Sequence, residues 1–582
     1  LGAADATLTQ AIERVTAHFG AQVQFILDGQ FAFWIGSGIS RERFPDLKEL
    51  LLRLLHELHT RSNFSDDTCP WRLCLHRVLE LVHVSPDTTR QRDIPADWPD
   101  IDQLLDLLVD NYSDVLDNPV YVGTTPQSLS LDVLGLDRVY GDDTIDPDAE
   151  HRLLALLIEE GIVAEIVSAN WDPLIERAHE EARDGQPSEL QVVVRAADID
   201  GTVRTRLTKI HGCARRLRCD PVTWRDHMIA TTTEIQNWVS SPDRAPVREL
   251  IRTTLRQKPT LFLGLSVQDW NLQLELLKAF SDLEPPLPID PPRALFAESE
   301  LRQPQRTVLR HIHGEEYARQ PIDVEENATL DLYGKPLLGS LFILTLLTKV
   351  RVIAASEDEA PIVDWMPFLL DAIDEWGQYV CERFDALADP GDCYGVWRNL
   401  VDEVAFAVAR FMRVYLEYIV PVTDLGYYAI SDNPVNAFAE RVRRDPRLRA
   451  GSVLLLLGAL LRGQRNGQWE LKRATGSDGR HGQFSVLLAG RRISLFILSD
   501  YGCGSEKLHR NGYTDPSHNV PAVIAYATGN DGGHGRHSPA RPMHSRSSSG
   551  PKQIWLQDLA ATLNDPDALV DTLRNALMEA LP

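Results

Sequence analysis

The sequence predicts an α/β protein: a doubly wound parallel sheet with a helical insertion, followed by an α+β C-terminal domain. Three observations carry this. Short apolar or aromatic runs alternate with amphipathic helical stretches up to about residue 355, the rhythm of a parallel sheet. Four of the runs end in glycine-bearing or polar turns. Beyond about residue 356 the order changes to helices first and strands afterwards.

The elements follow in order. ATLTQAIERVTAHF (Ala6 to Phe19) has helical spacing, and FAFWIGSGIS is a short strand breaking into a glycine turn. FPDLKELLLRLLHELH is then a helix. Residues from about 60 to 150, with WRLCLHRVLELV and IDQLLDLLVDNYSDVL, form the helical insertion. HRLLALLIEEG is a helix and IVAEIVSANWD a strand with a polar end. LQVVVRAADIDGTVRTRLTKIHG is expected to be a hairpin with Asp-Gly at its tip. Helix VRELIRTTLRQ, strand PTLFLGLS, helix WNLQLELLKAF, strand RALFAES and helix GKPLLGSLFILTLLTKV complete a first domain over 1–355.

The second domain, 356–582, begins with long helices at about Ile362 to Leu387 and Val396 to Ile419 and an apolar helix near 452. Strands WELKRATG, FSVLLAG, ISLFILSDYG, AVIAYATG and QIWLQD follow, then a helix from about Asp567 to Leu581. This domain is expected to serve oligomerisation or partner docking. Trp365, Trp376, Phe411 and Tyr415 read as core or subunit interface, and RHSPARPMHSR as a surface loop. Cys503 has no paired base and acid placed by the sequence, so it is not assigned as a nucleophile.

The chain of 582 residues carries 59 Lys and Arg against 84 Asp and Glu, a net charge of −25. Gripping a nucleic-acid backbone demands the opposite balance, so direct nucleic-acid binding is not expected. Seven cysteines and no signal-peptide pattern predict a reducing cytoplasm. Val453 to Leu461 and Leu341 to Leu347 are far shorter than the roughly 20 residues of a membrane span.

Four segments at strand ends carry the chemistry: Gly36-Ser37-Gly38-Ile39-Ser40 with Phe44-Pro45-Asp46, Ala169-Asn170-Trp171-Asp172, Lys209-Ile210-His211-Gly212, and Gly264-Leu265-Ser266 with Asp269. In a doubly wound sheet the carboxyl ends of the strands line one crevice, so all four can converge on one ligand. Glycines admit a pyrophosphate close to backbone amides, and the following helix offers its positive end. An Asn can fix a ribose hydroxyl or a water, a carboxylate can accept from a carboxamide, and a histidine can move a proton near neutral pH. Taken singly each is a common turn, cap or core residue; the ordered set is what points to a dinucleotide.

This set resembles the sirtuin fold family, with its GAGIS loop, I-P-D-F-R continuation, Q-N-x-D, H-G and G-T-S, over roughly residues 25 to 350. The resemblance implies a Rossmann-like NAD domain in which Gly36, Ser37 and Gly38 hold the pyrophosphate. It puts Asn170 at the nicotinamide ribose and Asp172 at the carboxamide, makes His211 the catalytic base, and puts Gly264 with Ser266 at the adenosine side. Ser40, Phe44, Asp46 and Asp269 belong to the same cofactor-binding loops. There are departures: Leu47 and Lys48 stand for the family's Phe and Arg, Phe44 for Ile, and Ala169 for Gln. Only Cys213 and Cys219 follow H-G, too few for a four-thiolate zinc ribbon, so no zinc is expected.

With its insertion and separate C-terminal domain, the chain looks like the sirtuin-like NAD hydrolases of bacterial antiphage defence. That likeness implies cleavage of NAD+ to nicotinamide and ADP-ribose by a homo-oligomer, in some systems beside a HerA-type hexameric ATPase and in others beside an Argonaute or a nucleotide-sensing module. No P-loop motif occurs here, so an ATPase would be a separate chain. The alternatives are an NAD-dependent deacylase or ADP-ribosyltransferase, and a non-enzymatic NAD-binding scaffold. His313-Gly314 repeats the H-G pair but reads as an ordinary loop histidine.

Overall fold

The computed structural model describes residues 6–85, 88–159, 161–183, 190–199, 205–267, 270–281, 292–354, 459–460, 463–464, 466–472, 483–500, 521–528, 552–555 and 566–581. Two compact units make up the chain, Leu1–Phe342 and Ile343–Pro582.

The first unit holds β1 (Ala32–Ile35), β2 (Val120–Val122), β3 (Thr125–Gln127), β4 (Glu165–Ser168), β5 (Leu190–Val193), β6 (Thr205–Lys209), β7 (Thr260–Leu263) and β8 (Ala294–Ala297). Six of these form one sheet in the order β5-β6-β4-β1-β7-β8, every neighbouring pair parallel. All four residues of β1, β7 and β8 are buried, as a sheet covered on both faces requires. On one face Trp34, Phe262 and Phe296 pack with Leu255, Leu272, Leu276 and Leu309, and the Phe262 and Phe296 rings stack at 4.7 Å. From β1 the chain winds to β4 on one side and later returns through β7 on the other. The order therefore reverses at β1, where such sheets open a crevice at their carboxyl ends.

Residues 190–209 do not form the expected hairpin. β5 and β6 run parallel, with Leu190 opposite Thr205. After Val193 the 3-10 turn Ala196–Asp198 ends the strand, Asp198 Oδ2 accepting from the Val194 and Arg195 amides at 3.0 and 3.1 Å. Four of the five residues of β6 are buried, as befits an inner strand of a covered sheet rather than a surface ribbon. The Asp-Gly tip lies outside the described residues.

The insertion joins helix Leu47–Arg61 to helix Ala149–Glu159. It is mainly helical, with Pro70–Leu81, Ile101–Asp110 and Leu136–Tyr140 among its helices, plus the β2–β3 hairpin. Leu54, Leu58, Val78, Trp98 and Leu108 form its core. Ala214, Leu217 and Met228 join that core, so the chain beyond His211 is packed against the insertion.

The second unit contains β9 (Glu470–Lys472), β10 (Gln483–Leu488), β11 (Arg491–Asp500), β12 (Ala522–Thr528) and β13 (Lys552–Trp555) in a mixed sheet, order β13-β12-β11-β10-β9. β10 and β11 are joined by Ala489-Gly490, both at positive φ (50° and 74°), the two-residue turn whose twist matches an antiparallel pair. Helix Pro566–Met578 buries Val570, Leu573 and Leu577 at helical spacing. The helices expected at 362–387 and 396–419, the RHSPARPMHSR loop and Cys503 lie outside the described residues. Among the described residues no helix is long and apolar enough to cross a membrane.

Candidate functional site

β6, β4, β1 and β7 are consecutive neighbours in the sheet, and the four segments singled out in the sequence follow their carboxyl ends. Segments far apart in the chain thus share one edge.

Gly36, Gly38 and Gly264 bring two of these turns together. The Gly36 amide donates to Leu263 O and the Gly38 amide to Gly264 O, both at 3.0 Å. A Cβ on Gly38 would lie 2.6 Å from the Gly264 Cα, and Gly264 itself sits at φ +59°. Only residues without Cβ allow backbones this close. The glycines thus join the β1 and β7 turns to each other and leave Ser37 exposed at the tip. Ser266, half-buried, follows in the β7 turn, and Gln305 braces it by donating to Leu265 O. Val267 is held at φ +56°, a strained position for a β-branched residue. Asp269 lies outside the described residues.

Ser40 is the hub. Its hydroxyl donates to Asp172 Oδ2 at 3.0 Å, accepts from Asn170 Nδ2 at 3.2 Å, and meets His151 Nε2 at 3.0 Å. All four side chains are buried. Asn170 Oδ1 is buried with no hydrogen-bond partner among the described residues, an acceptor left for something else. Asp172 Oδ1 accepts from the Leu174 amide and caps helix Leu174–Arg183.

His151 and Asp148 were not found by sequence reasoning. Asp148 Oδ1 accepts from the Glu150 and His151 amides at the start of helix Ala149–Glu159 and meets His151 Nδ1 at 2.6 Å. Burial works against the charge of Asp148, but the His151 ring and its hydrogen bonds hold the carboxyl below its ordinary range. The available signal was an Asp cap three residues before a His opening an apolar helix.

Beneath the Asn170–Asp172 turn, Lys209 donates to the Asp172 carbonyl and pairs with Glu176 at 2.9 Å. Burial opposes its charge, yet Cys213, Glu176 and Asp172 around it hold the ammonium above its ordinary value. Trp171 ties the turn to the next one: its Nε1 donates to Ile229 O, and its carbonyl accepts from the Ala214 amide. His211, also buried, opens that second stretch, and Gly212 at φ +91° lets the chain turn away under His227.

Phe44 and Asp46 face elsewhere. Phe44 is buried against Tyr140 of the insertion (5.0 Å between rings), and Tyr140 in turn packs edge-on against Trp171 at 5.3 Å. This aromatic row couples the insertion to the site. Asp46 caps helix Leu47–Arg61 through the Glu49 amide, Leu47 packs on the insertion core, and Lys48 pairs with Asp106. Cys213 is buried beside Glu176 and Cys219 is exposed. His313 is not in a loop: it closes helix Gln303–His313 and is buried. A cleft of about 350 Å³ lined by Leu50, Arg53, His56, Glu57 and Leu134 lies on the insertion, away from the strand ends.

A glycine turn, a buried Asn whose Oδ1 has no partner among the described residues, a carboxylate and a histidine thus follow neighbouring strand ends along one edge. Residues 164–313 match the model of the SIR2-like domain. The match takes in Asn170, Asp172, His211, Gly264 and Ser266, whereas the glycine turn lies ahead of it. No curated protein matches the chain.

Proposed function

We propose that the first unit binds NAD+ as substrate along the β6–β4–β1–β7 edge and hydrolyses its nicotinamide N-glycosidic bond, giving nicotinamide and ADP-ribose. The observation that carries this reading is the buried Ser40–Asn170–Asp172 cluster, assembled from residues 130 and 132 positions apart, with Asn170 Oδ1 unpartnered among the described residues. The SIR2-like match, which takes in β4, β6 and β7, supports NAD-related chemistry.

Nicotinamide in NAD+ is already a cationic leaving group, so the protein needs little acid catalysis. Its task is to hold the ribose while an oxocarbenium develops and to admit water. Asn170 orients the ribose hydroxyl or the water. His211 takes the proton from that hydroxyl or water, and Asp172 anchors the carboxamide. Gly36, Ser37 and Gly38 hold the pyrophosphate, and Gly264 with Ser266 binds the adenosine side. In the resemblance to antiphage effectors, the chain is a cytoplasmic homo-oligomer that depletes NAD, with a HerA-type ATPase or another defence protein as a separate partner.

The test is incubation of the full chain with NAD+, with and without co-expressed genomic neighbours, and separation of the products. Free nicotinamide and ADP-ribose are expected. His211→Ala should lower the rate by roughly 10²–10⁴-fold, the worth of a positioned base. Wild-type rates in folded His211→Ala and Asn170→Ala proteins would remove these roles. O-acyl-ADP-ribose formed from an acylated peptide would mark a deacylase instead.

A further inference from the structure

The parallel pairing of β4 with β6 runs out at the Ile210 amide, which donates to Ser168 O at 3.0 Å. Beyond it both chains leave the sheet, and other bonds set Asn170 against His211. The Trp171 carbonyl accepts from the Ala214 amide at 2.9 Å, and Trp171 Nε1 donates to Ile229 O at 3.1 Å. The Ile229 amide donates back to His211 O, also at 3.1 Å. Residues 212–228 are thus an excursion with a closed neck, and both of its ends are tied to Trp171. Gly212 makes the closure possible: it sits at φ +91°, and a Cβ there would lie 2.4 Å from His227 O. Only the indole N–H among these bonds comes from a side chain, so the residue type at 171 decides whether the neck closes.

We propose that Trp171 is a positioning residue that locks His211 to the Asn170–Asp172 turn through the closed neck of this excursion. The excursion itself packs elsewhere: Ala214, Leu217 and Met228 belong to the core of the insertion, with Leu54 and Trp98. Left to that packing alone, His211 would follow the insertion. The indole hydrogen bond makes it follow Asn170 instead, while the edge of the same ring rests on Tyr140 of the insertion at 5.3 Å.

Trp171 acts through His211, so its role in turnover rests on the reading of His211 as the base of NAD+ cleavage. A reacting group misplaced by about 1 Å loses on the order of 10²-fold in rate. Releasing the indole bond while the two backbone bonds remain loosens His211 rather than displacing it, so the expected loss is about tenfold. It should fall on kcat, because the pyrophosphate and adenosine contacts proposed for the glycine turns are untouched.

The experiment is Trp171→Phe in the full chain, which keeps an aromatic ring for Tyr140 and removes the one side-chain donor. Hydrogen exchange followed by mass spectrometry should show the Ile229 amide exchanging at least tenfold faster than in the wild type, with helix Leu47–Arg61 unchanged. In nicotinamide release, kcat should fall about tenfold with KM within about twofold. Leu54→Ala, which weakens the same unit through the insertion core, is the comparison for plain destabilisation and should keep kcat within about twofold of the wild type. Gly212→Ala pushes the neck apart from its other side and should give the same faster exchange and the same fall in kcat. Wild-type exchange at Ile229 in Trp171→Phe overturns the lock, as does exchange and kcat unaltered in Gly212→Ala. A wild-type kcat in Trp171→Phe, a raised KM with kcat unchanged, or an equal loss of kcat in Leu54→Ala overturns the positioning role. The exchange readout needs no turnover. If it behaves as stated while the wild type neither binds nor cleaves NAD+, the lock stands and the NAD reading falls.

Discussion

Lys209→Met removes the cation beneath the Asn170–Asp172 turn. The lysine is 1 % exposed, and its partner Glu176, 2.9 Å away, keeps a side-chain exposure of 9 %. Without the ammonium, Glu176 is a buried carboxylate whose Oε2 has no hydrogen-bond partner among the described residues. Its Oε1 keeps only the Cys213 thiol at 4.0 Å. Breaking such a pair from one side costs about 3–5 kcal/mol, whereas replacing both partners by apolar residues is often close to neutral. Urea unfolding of the first unit, followed by tryptophan fluorescence, should therefore show a loss of that size in Lys209→Met and recovery of most of it in Lys209→Met/Glu176→Leu. The Asp172 carbonyl loses its donor in both proteins, so nicotinamide release should stay low in the double variant even where stability returns. The folded lysine lies above its ordinary value of 10.5, so the pair contributes fully below that pH and is lost only as pH rises through the higher folded value. The penalty should accordingly be the same at pH 6 and pH 9. A loss under about 1 kcal/mol in the single variant, or one that vanishes by pH 9, would refute the reasoning.

Gly264→Ala places a methyl 2.8 Å from the Gly38 Cα at φ +59°, so it should cost about 1–3 kcal/mol and weaken NAD+ binding, read by calorimetry and thermal melting. Leu54→Ala, at a fully buried position of the insertion core, should cost about 2–5 kcal/mol in the same unfolding assay. Burial pushes the Cys74 thiol from 9.0 up to about 11. The native chain should therefore be alkylated at exposed Cys219 well before Cys74, as peptide mapping by mass spectrometry will show. The same shift makes the unfolded thiol ionise first, so stability should fall as pH rises from 9 towards 11, and less steeply in Cys74→Ala.

β1, β7 and β8 of the large sheet were legible because each is a short, almost wholly apolar run, buried at every position. Their carboxyl-end turns were legible for the same reason: a polar or glycine residue directly after such a run stands out. The direction of β5 was not. An Asp-Gly pair between two β-branched stretches is a strong local hairpin signal, and the pairing of β6 with β4 decides the matter through contacts a local signal does not contain. His151 was hidden differently. Its neighbours in sequence are a helix cap and an apolar helix, and its chemistry comes from Ser40, 111 residues away. Phe44 and Asp46, read from a family pattern as part of the cofactor loops, also have local work that the pattern does not contain: Phe44 packs in the insertion core and Asp46 caps a helix.

The backbone contact between Gly38 and Gly264 has a consequence for synthesis. On a ribosome, the first of these turns emerges long before the second, and no shorter stretch of chain can stand in for it. A nascent polypeptide halted just before β7 owns the serine, the asparagine and the imidazole but lacks the β7 turn. The Gly38–Gly264 contact, and the edge it closes, therefore forms only after most of the first unit has left the ribosome.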